Sequence, residues 1–176
     1  MKNEIRQQMF ELMKNAGSNH GKLYQQLFNS SEWQAAKIIA VTMSTNMELD
    51  TMPIIEKGLS EGKTMLIPKT FPHHKMEFFE FENLESLILS NFGILEPNDN
   101  AKVIAKNKID LIIVPGVAFS KNNNQRIGYG GGFYDRYLSD YLGKTISLVR
   151  HFQLIDSEWK LEITDIPIQR LIIEVE

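Results

Sequence analysis

Five residues, Asp110–Val114 (DLIIV), constrain the fold more than any other segment. Four apolar side chains in succession leave neither face of a strand polar. Such a run suits a central parallel strand covered by a layer on each side. Lys37–Met43 (KIIAVTM) reads as a second strand, and Thr64–Ile67 (TMLI), ending at Pro68, as a third. Lys75–Phe81 (KMEFFEF), Thr145–Val149 and Arg170–Val175 read as further strands. Between these runs the apolar period becomes helical. Ile5, Met9, Leu12 and Met13 make a stripe on a helix over Asn3–Lys14. Gly17 ends it, and Ser18 is placed to cap a second helix through Leu27. Ser30 or Ser31 caps a turn at Trp33–Ala36. Asp50 or Thr51, ahead of Pro53, starts a helix running to about Ser60. Leu84–Leu89 reads as a short helix, and Gly131–Leu142 starts glycine-rich and becomes helical. Strands alternating with helices imply a single α/β domain with a mostly parallel central sheet flanked by helices. Ligands in such sheets gather at the carboxyl ends of strands, so the loops after Val41, Ile67 and Val114 carry the most information.

Composition narrows the functional classes. The 176 residues include 19 Lys+Arg and 22 Asp+Glu, a net charge of −3. That balance argues against coating nucleic acid or an anionic membrane, while leaving room for a local cationic pocket. The chain has 0 Cys, which removes disulfides, thiolate nucleophiles and cysteine-bound metals. The longest nearly apolar run, Leu111–Phe119, is far short of a membrane span, and Met1–Gln8 lacks an apolar signal region. A cytoplasmic location is expected.

Two glycine motifs invite attention. Gly58-Leu-Ser-Glu-Gly62-Lys63-Thr64 is one residue too short between its glycines for a phosphate-binding P-loop, and it follows a helix rather than a strand. It reads better as a helix C-cap. The second is Arg126-Ile-Gly-Tyr-Gly-Gly-Gly-Phe-Tyr-Asp135. Its glycines allow close backbone approach to a ligand, and amides at a helix start attract anions. Arg126 adds a fork of donors suited to phosphate, and Asp135 a carboxylate that could hold Mg²⁺ against it. The alternative is a flexible glycine loop whose Asp caps the helix. The histidines show no metal-ligand spacing, and no nucleophile elbow is present.

Val114-Pro-Gly-Val-Ala-Phe119 followed by Arg126–Leu138 resembles the signature of the 5-formyltetrahydrofolate cyclo-ligase (methenyltetrahydrofolate synthetase) family. Four further segments match in order: Lys2–Arg6 (K-x-x-x-R), Met47–Thr51, Phe92–Pro97, and the closing Phe152-Gln153 with Asp165–Glu174. Departures are Ser120, Asn124-Gln125, Ile127 and the Ile173-Glu174 end.

The resemblance implies a fold of the ribose-5-phosphate isomerase and CoA-transferase type. It implies a monomeric enzyme that uses ATP as co-substrate and Mg²⁺ as cofactor. That enzyme turns 5-formyltetrahydrofolate into 5,10-methenyltetrahydrofolate, ADP and phosphate, with no nucleic-acid or membrane partner. Carried over by position, Lys2, Asn3, Glu4, Ile5 and Arg6 would contact ATP. So would Arg126, Ile127, Gly128, Tyr129, Gly130, Gly131, Gly132, Phe133 and Tyr134, with Arg126 and Lys2 catalytic. Met43, Glu48 and Tyr134 would contact the folate, and Asp135 and Asp165 would hold the metal. Without the resemblance, Lys2 and Arg6 read as a solvated helix face, Glu48 as a first-turn helix charge and Asp165 as a loop cap. Two rival functions are a sugar-phosphate isomerase on the same architecture and a non-catalytic folate- or nucleotide-binding protein.

Overall fold

The computed structural model describes residues 1–17, 19–156 and 159–175. Helices α1 (Lys2–Lys14), α2 (Gly21–Phe28) and α3 (Ser31–Ala35) precede β1 (Ile38–Val41) and α4 (Met52–Ser60). Eight strands follow: β2 (Thr64–Phe71), β3 (Lys75–Glu80), β4 (Leu87–Leu89), β5 (Leu95–Pro97), β6 (Val103–Ile104), β7 (Leu111–Ile113), β8 (Ala118–Ser120) and β9 (Arg126–Ile127). The chain then forms α5 (Phe133–Leu138), β10 (Lys144–Val149), β11 (Leu154–Ile155) and β12 (Arg170–Ile173).

The main sheet runs β12-β10-β7-β1-β2-β3-β6. Neighbours from β12 to β2 are parallel, and β3 and β6 pair antiparallel. Alternation along the inner strands feeds two apolar layers. Ile39 and Val41 of β1, Met65 and Ile67 of β2, and Leu111 and Ile113 of β7 join Leu23, Leu27, Trp33, Ile54 and Ile55 of the first helices. Ala40, Leu66 and Ile112 face the other way, onto Tyr137 and Leu138 of α5 and Phe78 of β3. The chain therefore needs both faces of β7 apolar, as DLIIV supplies. A third cluster packs Met9 and Met13 of α1 against Val117, Ala118 and Ile127 of the small sheet β11-β8-β9. From β1 the chain builds outward to β2 on one side, then returns to place β7, β10 and β12 on the other. The order reverses between β1 and β7, where an open α/β sheet leaves a crevice at the strands' carboxyl ends.

Several elements differ from expectation. Leu84–Leu89 is not a helix: Asn83 caps one tight turn at Leu84–Ser86, and Leu87–Leu89 then pairs antiparallel with Leu95–Pro97. Leu84, Ile88 and Leu89 are exposed and Leu87 alone reaches the core, too little apolar surface for a helix to bury. Strand β2 continues through Pro68 because β1 pairs with it only as far as Leu66, so the missing N–H leaves no ladder bond unmade. Leu12 is exposed, which narrows the α1 stripe to Met9 and Met13 with Ile5 at its edge. Helix α2 starts at Gly21 with His20 at its N-cap, while Ser18 lies outside the described residues. Helix α5 and strand β12 are shorter than expected. At α3 the Ser30 cap forms as expected, its hydroxyl accepting from the Trp33 amide. Among the described residues no helix is long and apolar enough to cross a membrane.

Candidate active site at the sheet's switch point

The crevice between the ends of β1 and β7 is lined by Thr42, Glu48, Pro115, Gly116, Tyr129, Arg150 and Gln153. Its cavity volume is about 40 Å³, room for more than one water molecule. The loop after β1 is held by its own polar groups. Thr51 Oγ1 donates to the Thr42 carbonyl at 2.7 Å, and Ser44 Oγ accepts from the Thr51 amide at 3.0 Å. Glu48 accepts from the Thr45 amide at 2.7 Å, so this carboxylate belongs to a turn ahead of α4 and not to the helix's first turn. Across the crevice Tyr129 stacks on Phe10 of α1, with ring centroids 5.9 Å apart. Burial, reinforced by the Glu48 charge, pushes the Tyr129 phenol up, so it stays protonated at neutral pH.

The glycine-rich segment joins this crevice to α1. Arg6 Nε donates to the Gly128 carbonyl at 2.8 Å, and Arg6 Nη1 to Asn3 Oδ1 at 2.6 Å. A Cβ on Gly128 would sit 2.5 Å from Arg126 Nη1, so glycine is what lets that guanidinium lie against the backbone. Gly132 takes φ +68° where the run enters α5, a left-handed turn that glycine makes without strain. The β2–β3 hairpin touches the run through His74, whose Nδ1 lies 2.7 Å from the Gly131 carbonyl.

Two cation–carboxylate pairs close the arrangement. Arg126, nearly fully buried, donates to the Pro115 carbonyl at 3.1 Å and to Asp135 Oδ1 at 3.2 Å. The same Asp135 oxygen accepts from the Ile166 amide, which brings Asp135 beside Asp165. Lys2 Nζ donates to Asp165 Oδ2 at 2.6 Å and to Glu162 Oε1 at 3.3 Å. Burial works against the Lys2 ammonium, but the two carboxylates outweigh it and raise its pKa. Beside this pair, Met1, Lys2, Asn3, Arg6, Lys160 and Glu162 line an open groove of about 450 Å³.

The structure thus places Glu48 and Tyr129 at the crevice and Lys2, Asn3 and Arg6 at the groove, and joins Arg126 to Asp135 and Lys2 to Asp165 through ion pairs. Among the described residues the buried Tyr134 hydroxyl has no hydrogen-bond partner, and its ring centre lies 5.9 Å from the Arg126 guanidinium carbon. Glu4 instead pairs with the chain's own terminal ammonium at 2.8 Å, and Ile5 and Ile127 pack into the third apolar cluster. Met43 belongs to the core, leaving Thr42 beside it to line the crevice. Phe133 packs on His74, with ring centroids 5.6 Å apart. Arg150 and Lys160 carried no sequence motif. Arg150 could have been suspected from its place just past the end of a parallel strand.

Among the described residues no three His, Asp or Glu side chains gather as a self-sufficient metal cage. Asp135 Oδ2 and Asp165 Oδ1 each remain without a hydrogen bond among those residues. Each carboxylate thus keeps an oxygen with which it would hold Mg²⁺, and the ion would neutralise phosphate charge in the cationic groove.

The family model for the 5-formyltetrahydrofolate cyclo-ligase family matches residues 1–174. A 5-formyltetrahydrofolate cyclo-ligase of Escherichia coli is 32% identical over 143 residues, 78% of each chain. A probable 5-formyltetrahydrofolate cyclo-ligase of Schizosaccharomyces pombe is 39% identical over 120 residues, 66% of this chain and 58% of that one. The NMR structure of an Aquifex aeolicus 5,10-methenyltetrahydrofolate synthetase superposes with a TM-score of 0.85. It is 26% identical and covers 99% of this chain and 90% of its own.

Proposed function

Since the chain belongs to the 5-formyltetrahydrofolate cyclo-ligase family and is an enzyme of folate conversion, we propose that it closes 5-formyltetrahydrofolate to 5,10-methenyltetrahydrofolate at the expense of ATP. The observation that carries this reading is the meeting of α1 with the glycine-rich segment. Lys2, Arg6 and Arg126 converge there from distant parts of the chain beside Asp135 and Asp165. Such a set serves a triphosphate with a metal ion, whereas a sugar-phosphate isomerase needs no ATP. Family membership also turns against a purely binding role.

A formamide oxygen leaves poorly and its carbon is a weak electrophile. Transfer of the γ-phosphoryl group to that oxygen yields ADP and an iminium phosphate. The N10 lone pair then attacks the formyl carbon, the carbon–oxygen bond breaks, and phosphate departs carrying the former formyl oxygen. The proton on N10 goes to solvent. Little covalent chemistry falls to the protein, whose work is alignment and charge neutralisation. Arg126 is pre-aimed by the Pro115 carbonyl and Asp135, which fixes its fork without reorganisation at the moment of transfer. Lys2 and Arg6 hold the phosphate chain in the groove. Glu48 accepts from N–H groups on the pterin edge. Asp135 and Asp165 would hold Mg²⁺, which neutralises phosphate charge when bound.

The test is isotopic. With ¹⁸O in the formyl group, the label should appear in inorganic phosphate, one atom per turnover. Label released as water would refute phosphorylation of the formyl oxygen.

A further inference from the structure

We propose that Arg150 determines specificity for the pterin ring by donating a hydrogen bond to its C4 carbonyl oxygen, next to Glu48, which accepts from the ring's N–H groups. This rests on the folate reading above. Arg150 stands just past the carboxyl end of β10, a direct neighbour of β7, and lines the same crevice as Glu48. It is 3% exposed. Its Nε donates to Gln153 Oε1 at 3.2 Å, its Nη2 to the Met47 carbonyl at 3.1 Å, and its guanidinium lies 4.8 Å from the Phe152 ring centre.

Those contacts fix the guanidinium but do not neutralise it. Among the described residues no carboxylate oxygen comes within 4.0 Å of it, and Nη1 makes no hydrogen bond. Glu48, Glu174, Tyr24 and Tyr129 surround it at longer range. A buried cation without a bonded counter-group is costly unless something supplies an acceptor. The bond to Met47 also ties Arg150 to the residue before Glu48, so the two charged groups are held as a pair.

The pair matches one chemical pattern. Guanidinium is only a donor and carboxylate only an acceptor. A 2-amino-4-oxo pterin presents its C4 carbonyl acceptor beside its N3–H and 2-amino donors. Glu48 reads the ring's N3–H and 2-amino donors and cannot sense the group at C4. Arg150 can, because the 4-amino group replaces an acceptor with a donor and leaves the buried guanidinium facing another N–H.

Calorimetry without ATP tests this on the full chain, with 5-formyltetrahydrofolate and its 4-amino-4-deoxy counterpart as ligands. The wild-type protein should favour the 4-oxo form by at least about 100-fold, as sites built around a specific hydrogen bond do. Arg150→Met should lower that ratio at least about tenfold, while Arg150→Lys should retain part of the difference. Circular dichroism melts report whether each variant folds. A wild-type ratio near one overturns the proposal without any variant. Folded Arg150→Met with an undiminished ratio overturns it too. Failure of the wild-type protein to bind either ligand would instead overturn the folate reading itself.

Discussion

Replacing Gln153 with Met should destabilise the protein by about 3 kcal/mol, because one side chain ties its own turn to the segment after β7. Gln153 is 3% exposed. Its Nε2 donates to the Gly116 carbonyl at 3.0 Å and the Val117 carbonyl at 3.2 Å, both in the segment after β7. Its Oε1 accepts from the Arg150 amide at 3.3 Å and from Arg150 Nε at 3.2 Å. Methionine nearly preserves the volume, so little cavity term enters. Four hydrogen bonds are lost, at about 1 kcal/mol each for neutral groups and somewhat more for the charged donor. The carbonyls recover part of this through water or small shifts, which leaves the net near 3 kcal/mol. In a domain of this size that corresponds to a fall in Tm of roughly 6–12 °C. Urea unfolding, followed by the fluorescence of Trp33 and Trp159, measures the change, with an unchanged m-value showing that the unfolded reference is the same. A loss below about 1 kcal/mol would refute the view that Gln153 is a satisfied, buried cross-link.

Other expectations follow from the same contacts. Arg126→Ala should lower kcat/KM for ATP at least about 100-fold, and an unchanged value would remove Arg126 from the site. Asp135→Ala should abolish turnover at ordinary Mg²⁺ concentrations, measured by product formation; near-normal kcat would contradict a metal role. Glu174 carries a pH prediction. Burial alone would raise its pKa, but His20 at 2.7 Å and the His151 amide at 3.2 Å favour the carboxylate and bring it below the ordinary 4.5. A depressed folded pKa gives stability that is present above the unfolded value and lost as pH falls through the folded one. The Tm gap between wild type and Glu174→Gln should therefore be full above the ordinary glutamate range and close as pH falls through the lowered folded pKa; a gap independent of pH would contradict this.

The central architecture was legible because its cause is local. DLIIV can only be satisfied with apolar layers on both faces, and the structure provides them through α2–α4 on one side and α5 with β3 on the other. The Leu84–Leu89 segment misled because its leucines suggest a buried helical face. They lie instead on an exposed hairpin, where cross-strand bonds to Leu95–Pro97 decide the conformation. Such bonds depend on a partner that a window of sequence does not contain. The same holds at the site. Lys2 and Asp165 meet across 163 positions, and nothing in either neighbourhood predicts that pair without the family resemblance. Arg150 escaped altogether, because its importance comes from burial beside Glu48 and not from any motif.

The most direct measurement is optical. The protein is mixed with 5-formyltetrahydrofolate, ATP and Mg²⁺, and near-ultraviolet absorbance is followed for the methenyl chromophore. A rise is expected that needs all three additions and is matched mole for mole by ADP. No rise above the enzyme-free control, or a rise without ADP, would contradict it.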